Sequence, residues 1–154
     1  MGNARAFTYE PTFNRVTSIT DPLSHTTGFE YDPSGNLTGV VDALSQRTVI
    51  VNDPTGQPTS ATDPLSNTTR FEYDTFGNLT GLVDPLGNRT SRQYDGASRV
   101  IGQTDARGRT TTVGYDALDR LPQIVNALGG LTQMAYDGNG NLLTVTDPLP
   151  SVPG

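Results

Sequence analysis

The stretch FEYDTFGNLTGLVDPLGNRT, from Phe71 to Thr90, decides the fold, because much of it repeats FEYDPSGNLTGVVDALSQRT, from Phe29 to Thr48. Tyrosines extend the repetition along the chain, with successive gaps of 22, 42, 21, 21 and 21 residues. They are Tyr9, Tyr31, Tyr73, Tyr94, Tyr115 and Tyr136. Asn52 stands midway in the gap of 42, so the period is 21 residues, with one extra residue in the first unit. A period of this length predicts a solenoid or array, in which each unit packs against its neighbours.

Composition favours strands and turns over helices. The 154 residues include 17 Gly, 11 Pro and 16 acidic residues, of which all but Glu10, Glu30 and Glu72 are Asp. Asp suits turns, because its short carboxylate accepts hydrogen bonds from nearby backbone amides. The net charge of −6 argues against nucleic-acid binding, which needs a basic surface. The chain contains no Cys and no run of apolar residues long enough to cross a membrane, so we expect neither disulfides nor a membrane span.

Each unit is predicted to form two strands and two turns. One strand shows alternation: Thr69, Phe71 and Tyr73 share one face, and Arg70 and Glu72 the other. The next turn contains Gly35, Gly77 or Gly140, which we expect at positive φ. In the other strand, Gly39 and Gly81 indicate a bulge or a close approach of the backbone. The prediction is an all-β fold, a solenoid or spiral sheet of repeated antiparallel β-hairpins.

Columns of equivalent residues suggest how such a chain is stabilised. An Asp-Pro-Leu or Asp-Ala-Leu turn recurs at the same step, and Tyr and Leu columns would form ladders at opposite ends of the strands. We expect the tyrosines to be core residues, each followed by a turn Asp. The Leu column is Leu23, Leu44, Leu65, Leu86, Leu128 and Leu149, with Arg107 as the exception.

The predicted organisation is a leading strand segment over residues 1–8, a repeat array over 9–149 and a tail over 150–154. Units of the array start at 9, 31, 52, 73, 94, 115 and 136. Pro148, Pro150 and Pro153 would stop strand pairing at one end, whereas Phe7 and Tyr9 carry the apolar columns on towards the other. We therefore expect the chain to associate with further repeats, of the same protein or of other copies.

The motifs resemble a known family. YDPSGNLTGVVDALSQRT, YDTFGNLTGLVDPLGNRT and YDGNGNLLTVTDPL are similar to the RHS or YD repeats of bacterial surface and toxin proteins and of teneurins. The resemblance covers about Phe7 to Leu149 and implies a β-sheet spiral that wraps into a hollow shell. In bacterial toxins of this family the shell encloses a C-terminal toxic domain, and related YD proteins are described as carbohydrate-binding. It also implies a secreted or cell-surface location.

Candidate chemistry is weak throughout the sequence. Neighbouring Tyr and Asp on a strand point to opposite faces, which disfavours a joint acid–base site. The stretch DGNGN, residues 137–141, begins like a calcium loop, but Leu142 stands where Gly is needed and Pro148 where the closing Glu is needed. His25 can be drawn into a triad with Ser24 and Asp21, but nothing supplies an oxyanion hole. We predict no catalytic, cofactor-binding or metal-binding residue.

The function predicted from the sequence is structural: part of an extracellular shell or array that encloses an effector domain in a longer protein, without enzymatic activity. The first alternative is a glycan-binding module at a cell surface, with exposed Tyr and Asn ladders. The second is a self-assembling extracellular fibre. Expected partners are further repeats, an enclosed C-terminal effector domain, or carbohydrate.

Overall fold

The computed structural model describes residues 4–148, which form fourteen strands and no helix. Leu149, the tail over 150–154 and the start of the predicted leading segment lie outside the described residues. The strands are β1 Ala6–Tyr9, β2 Val16–Thr20, β3 Thr26–Tyr31, β4 Leu37–Val41, β5 Arg47–Asn52, β6 Pro58–Thr62, β7 Thr68–Tyr73, β8 Leu79–Val83, β9 Arg89–Tyr94, β10 Val100–Thr104, β11 Thr110–Gly114, β12 Gln123–Val125, β13 Leu131–Tyr136 and β14 Leu142–Thr146. The all-β prediction is confirmed.

The chain divides into two compact units. The first consists of residues 1–71 and 84–86, and the second of residues 72–83 and 87–154. Within each, strands that follow one another in the chain pair antiparallel, as β2 with β3 in the first and β8 with β9 in the second. The described residues contain no helix with the length and hydrophobicity that a membrane span requires.

Two classes of turn alternate along the chain. We call those that follow the tyrosine positions tyrosine turns and those that carry the Leu column leucine turns. The tyrosine turns are residues 10–15, 32–36, 53–57, 74–78, 95–99, 116–120 and 137–141. The leucine turns are residues 21–25, 42–46, 63–67, 84–88, 105–109 and 126–130.

Both classes share one backbone arrangement, organised by the first residue of the turn. In the leucine turn that starts at Asp63, the Asp63 N–H donates to Asn67 O at 2.9 Å and Ser66 N–H donates to Asp63 O at 3.0 Å. Asp63 Oδ1 accepts the N–H groups of Leu65 and Asn67 at 2.9 and 2.8 Å. The tyrosine turn that starts at Asp74 has the same four bonds. The carboxylate thus satisfies amides that the turn would otherwise leave unpaired.

The fourth residue of these turns adopts positive φ. Gly35, Gly77 and Gly140 do so as predicted, with φ of 82°, 86° and 87°. Ser24, Ser45 and Ser66 occupy the same conformation with φ of 63–69°, although serine rarely adopts it. The hydrogen bonds to the turn Asp offset the cost of that conformation, so glycine is not required at every turn.

A bulge follows five of the tyrosine turns. Glu30 pairs with Gly39 and Tyr31 with Leu37, which leaves Thr38 as an extra residue in β4. Equivalent shifts occur where β1 meets β2, β5 meets β6, β9 meets β10 and β13 meets β14. The bulge explains why the apolar residues of β4 do not alternate cleanly in sequence, whereas those of β7 do, with Thr69, Phe71 and Tyr73 less exposed than Arg70 and Glu72.

No hydrophobic residue is fully buried between residues 4 and 148. The expectation of core tyrosines is therefore wrong in degree: Tyr31, Tyr94 and Tyr136 are half-buried and Tyr9 is exposed. The expectation of a stabilising leucine ladder is wrong as well, since Leu23, Leu44, Leu65, Leu86 and Leu128 are 76–89% exposed. A single sheet layer accounts for both results, because no second layer covers either face within a unit.

Candidate binding surfaces

Three tyrosines close the open end of a hairpin, opposite its leucine turn. The hydroxyl groups of Tyr31, Tyr94 and Tyr136 donate to main-chain carbonyls 15 residues earlier, at 2.8, 2.9 and 3.0 Å. Asn52, which replaces a tyrosine, makes the equivalent bond from Nδ2 to Leu37 O at 2.9 Å. The tyrosine positions thus share a side-chain donor that reaches the carbonyl 15 residues earlier. An aromatic ring is not essential for this bond.

The fifth residue of the turn bonds to the second carboxylate oxygen of the first. Asn67 Nδ2 donates to Asp63 Oδ2 at 2.8 Å, and Arg99 Nε donates to Asp95 Oδ2 at 2.7 Å. An arginine in this position also reaches the next tyrosine: the Arg99 guanidinium lies 4.6 Å from the centre of the Tyr115 ring. Arg120 lies similarly over Tyr136, at 5.0 Å. These contacts are cation–π interactions that link one tyrosine turn to the ring beside the next.

Two ion pairs cross a glycine in the strand between them. Arg47 Nη2 lies 2.6 Å from Glu30 Oε2, and Arg89 Nη2 lies 2.7 Å from Glu72 Oε2. A Cβ atom on Gly81 would meet Glu72 Oε2 at 2.2 Å, and one on Gly39 would meet Glu30 Oε2 at 2.4 Å. The bulge predicted as one possibility lies beside Gly39, and what approaches both glycines is a side-chain carboxylate that lies across the strand rather than backbone.

The first tyrosine turn differs from the others and forms a cleft. It has one extra residue and begins with Glu10, whose Oε1 accepts the N–H groups of Phe13 and Arg15 at 2.8 and 3.1 Å. The longer side chain spans the longer turn, which explains the tyrosine gap of 22 residues. Beside it lies a cleft of about 280 Å³. Its lining is Glu10, Thr12, Phe13, Thr17, Phe29, Tyr31, Asp32 and Pro33.

Two rings of the cleft lining, Phe13 and Tyr31, are held in place by neighbouring residues. The Arg15 guanidinium lies 5.4 Å from the Phe13 ring centre and 5.7 Å from that of Tyr31. A Cβ on Gly35 would stand 2.9 Å from Phe13 Cδ2, so a glycine at positive φ is required there. Phe13 remains 47% exposed, which leaves part of its ring open to a ligand.

Both carboxylates of the cleft are held ionised. Partial desolvation opposes this at Glu10, but the backbone N–H groups of Arg15, Thr12 and Phe13 lower its pKa below the usual value. The backbone and then the side chain of Asn36 lower the pKa of Asp32 in the same way. The cleft therefore offers fixed hydrogen-bond acceptors next to aromatic rings at neutral pH.

His25 and Asp21 lie together, but in the geometry of a turn. His25 Nδ1 lies 3.0 Å from Asp21 Oδ2, the position that Asn67 Nδ2 takes beside Asp63. Ser24 is the fourth residue of this turn, at positive φ, and its N–H donates to Asp21 O at 3.0 Å. The imidazole thus acts as a side-chain cap of the turn. The absence of a catalytic site stays a prediction.

The calcium-like stretch is also a tyrosine turn. Asp137 Oδ1 accepts the N–H groups of Asn139 and Asn141 at 2.9 and 2.8 Å, and its Oδ2 accepts Asn141 Nδ2 at 2.8 Å. The carboxylate is therefore directed at its own backbone. Within residues 4–148, no group of three or more His, Asp or Glu side chains is placed to hold a metal ion.

Sequence reasoning missed the cleft, although two signals mark it. The tyrosine gap of 22 residues and the Glu in a column of Asp both fall at residues 9–15. It also missed the arginine contacts, which are signalled by Arg99 and Arg120 in the position where Asn36 and Asn78 stand in other units.

Solved structures share this fold. The pore form of the Photorhabdus luminescens Tc holotoxin matches 96% of the chain with a TM-score of 0.75 and 16% identity. Structures of TcdB2–TccC3–Cdc42 and TcdB2–TccC3–TEV each match 97% of the chain, with TM-scores of 0.77 and 0.78 and identities of 18% and 19%. At such identities the likeness establishes the fold alone. The chain spans only 9% of the length of each of these proteins.

The family is established by sequence. None of the curated protein sequences matches the chain. The profile of the RHS repeat, however, matches residues 12–47, 53–90 and 94–131, which together make up most of the chain. These matches include the Tyr-Asp and Gly-Asn-Leu motifs of both copies of the repeated stretch. The chain belongs to the RHS repeat family.

Proposed function

We propose that the chain is a segment of the wall of a shell, which in a longer protein encloses a C-terminal effector domain. The observation that carries this proposal is the single sheet layer, in which glycines are the only fully buried residues over 4–148. A layer of this kind separates two spaces without a core of its own. Its likeness to a small part of much longer Tc toxin proteins supports the same function.

The charges of the wall support the proposal. Glu30 and Glu72 are each paired with an arginine, and Asp95, Asp105 and Asp116 each bond to the arginine at the fifth position of their turn. Pairing neutralises these five carboxylates and leaves the surface around them locally neutral, although the net charge of the chain is −6. Such a surface would contain a domain without binding it strongly, as a shell that later releases its content requires.

The test uses the full product of the gene from which this chain comes. The purified protein is treated with a protease in native buffer, and its C-terminal segment is followed by mass spectrometry. Protection of that segment, lost when dilute denaturant opens the wall, is the expected result. Cleavage of the C-terminal segment as fast as in the isolated segment would contradict enclosure. A full-length protein that contains only repeats would contradict it as well.

A second candidate function is glycan binding at the cleft beside Glu10. Phe13, Phe29 and Tyr31 offer apolar ring faces to a sugar, and the fixed carboxylates accept hydrogen bonds from its hydroxyl groups. Nuclear magnetic resonance titration with a panel of oligosaccharides tests it. Amide shifts at residues 10–17, abolished by Phe13→Ala, would favour the glycan-binding module. Shifts that survive this substitution, or none at millimolar sugar, argue against it.

We also propose that the chain meets further repeats through its outermost strands. All residues of β1 and β14 are exposed, with Leu143 at 62% and Val145 at 52%. Pairing with another strand would cover them, in the same protein or in a fibre. A secreted location and the lack of enzymatic activity are parts of the same proposal and rest on the family. A lysine placed on the outer edge of β14, as Val145→Lys, should weaken any such association.

A further inference from the structure

One cross-strand pair of the second compact unit departs from the repeat. At five other places in the chain, the second residue before the tyrosine position and the residue opposite it in the next strand are both apolar. These pairs are Phe7 with Ile19, Phe29 with Val40, Ile50 with Ala61, Val113 with Ile124 and Met134 with Val145. Between β9 and β10, however, Arg92 lies opposite Gln103. Both partners differ from the pattern, which places two polar side chains together where the other repeats are apolar.

This pair lines a pocket of about 60 Å³ that lies wholly within the second unit. Thr90 lies two residues before Arg92 in β9, and Leu82 lies opposite Thr90. The side chains of these residues and of Gln103 therefore point to one face of the sheet. The rest of the lining is Leu79, Thr80, Gly81 and Ser91. The pocket thus combines a guanidinium, an amide and hydroxyl groups with two leucines.

The charge of Arg92 has no partner in the part of the chain that the structure describes. Its side chain is exposed and makes no ion pair or hydrogen bond with residues 4–148. Arg89, on the other face of the same strand, is paired with Glu72 at 2.7 Å. Arg70 is exposed and likewise without an ion pair among these residues, but it does not line the pocket. Arg92 is therefore an unneutralised cation at the edge of a pocket that has further hydrogen-bond donors, an arrangement that suits an anion.

We propose that this pocket binds a carboxylate group carried on a short aliphatic chain. The planar guanidinium of Arg92 can donate two parallel N–H bonds to the two oxygens of a carboxylate. A single cation balances the one charge of a carboxylate but not the two charges of a phosphate monoester. Gln103 and Thr90 supply further donors, and Leu79 and Leu82 offer apolar contact to the methylene groups next to the carboxylate. The glutamate side chain of a polypeptide and a free short-chain acid share this chemistry.

Titration of the 154-residue chain with sodium butyrate at constant ionic strength, followed by amide nuclear magnetic resonance, tests the site. The amides of Ser91, Arg92 and Gln103 should shift and saturate at millimolar concentrations, because one charge-assisted pair in an open pocket supports only weak binding. Butyramide has the same shape without the charge and should leave these amides unchanged. A capped peptide with one glutamate between two valines, and the same peptide with glutamine, provide the second arm. A Kd at least about tenfold below that of butyrate would identify a polypeptide as the ligand, and equal Kd values a free acid.

Substitutions in and beside the pocket assign the binding to Arg92. Arg92→Leu should raise the Kd for butyrate at least about tenfold, because it removes the ion pair. Arg70→Leu is the matched control, since it removes the same charge from an exposed strand position that does not line the pocket, and its Kd should stay within about twofold of the wild type. Arg92→Lys keeps the charge but lacks the planar fork, so its Kd should rise about threefold to tenfold.

The stability of Arg92→Leu separates a binding role from a structural one. Since Phe71 and Val113 show that the repeat accepts an apolar residue at this position, the urea midpoint of the variant should equal or exceed that of the wild type. A lower midpoint would mean that Arg92 serves the fold and would overturn the proposal. Three binding results would also overturn it: no saturable shift with either carboxylate up to about 100 mM, equal shifts with butyramide, or equal weakening by Arg70→Leu and Arg92→Leu. Circular dichroism checks that every variant retains its sheet.

Discussion

The leucine turns and the tyrosine turns have the same backbone but different surroundings. Both are closed by an aspartate that accepts N–H groups two and four residues later, as at Asp63 and Asp74. The tyrosine turns lie beside rings such as that of Tyr94, which is half-buried and whose hydroxyl group closes its own hairpin by donating to Leu79 O. The leucine turns project their apolar side chains into solvent. The aspartate thus determines the turn, and its neighbours determine whether that end of the strand stabilises the sheet or remains available for contact.

Acid should affect both classes together, and this is the largest expected effect. The side chain and then the backbone of Asn67 lower the pKa of Asp63 from 3.8, and the side chain of Asn78 does so at Asp74. A lowered pKa in the folded state means that stability is fully present above the unfolded value and is lost as pH falls through the folded one. The urea midpoint should therefore be constant at neutral pH and fall steeply below about pH 3.8.

Amide resonances make this test specific. The N–H groups of Leu65 and Phe76 bond to the two titrating carboxylates, so their shifts should change over the same pH range. Leu128 is a built-in control, because its N–H bonds to Asn126 Oδ1, which does not titrate. Two results would contradict a shared role of the aspartate in both classes of turn. One is a shift of the Leu128 amide over the same pH range before unfolding, and the other is a shift of the Leu65 and Phe76 amides over different pH ranges.

Removal of one side chain from each class should give unequal losses of stability. Tyr94→Ala should cost about 2 kcal/mol, less than for a fully buried aromatic residue, because the ring is half-buried. Leu65→Ala should change the free energy of unfolding of the monomer by less than about 0.5 kcal/mol. Tyr94→Phe removes only the hydroxyl bond and should lower the free energy of unfolding by about 1 kcal/mol. Urea titrations at low protein concentration measure all three, and equal costs at Tyr94 and Leu65 would remove the distinction between the two ends.

Asn52→Tyr should strengthen the one hairpin that lacks its ring. Asn52 makes the bond to Leu37 O but covers less of the sheet, so a tyrosine should add about 1 kcal/mol of stability. Asn52→Ala, which loses the donor, should cost about 1 kcal/mol. A destabilising Asn52→Tyr in the same titration would mean that the neighbouring strands have adapted to the smaller side chain.

The smallest expected effect concerns Gly81. A methyl group there displaces the Glu72 carboxylate and breaks its exposed pair with Arg89, so Gly81→Ala should change stability by less than about 1 kcal/mol. In a Glu72→Ala background the obstacle is gone, and the same change should become stabilising by about 0.4–1 kcal/mol. Gly96→Ala is the matched control, since no atom lies within 4 Å of its added Cβ. Loss of stability in both backgrounds would show that the backbone itself requires glycine.

The strands and turns could be predicted from the sequence because their causes are local. The alternation of Thr69, Phe71 and Tyr73, and the glycines of the tyrosine turns, follow from side-chain direction and from positive φ. The exposure of Leu65 could not be predicted, because the pattern within one repeat does not say whether a second layer exists. Ser66 at positive φ was also unpredictable, since it depends on hydrogen bonds that offset a cost serine would otherwise bear.

The candidate cleft could not be predicted from the repeat pattern, for a related reason. A repeat reveals what its copies share, and Glu10 and Phe13 differ from their counterparts. The glycan alternative was predicted from the family and from exposed Tyr and Asn ladders, whereas the structure places aromatic rings and carboxylates together at a single irregular turn. An extra residue in a regular array is thus a better guide to a candidate site than the array itself.

The tyrosine hydroxyl bonds also bear on how the chain is made. Each reaches back only 15 residues, and strands pair with the strands next to them in the chain. A ribosome that adds about 5–20 residues per second delivers one repeat of 21 residues every one to four seconds. Local contacts form far faster than that. Each hairpin can therefore be completed and closed by its own tyrosine bond before the next one emerges, so that the sheet grows at the pace of translation.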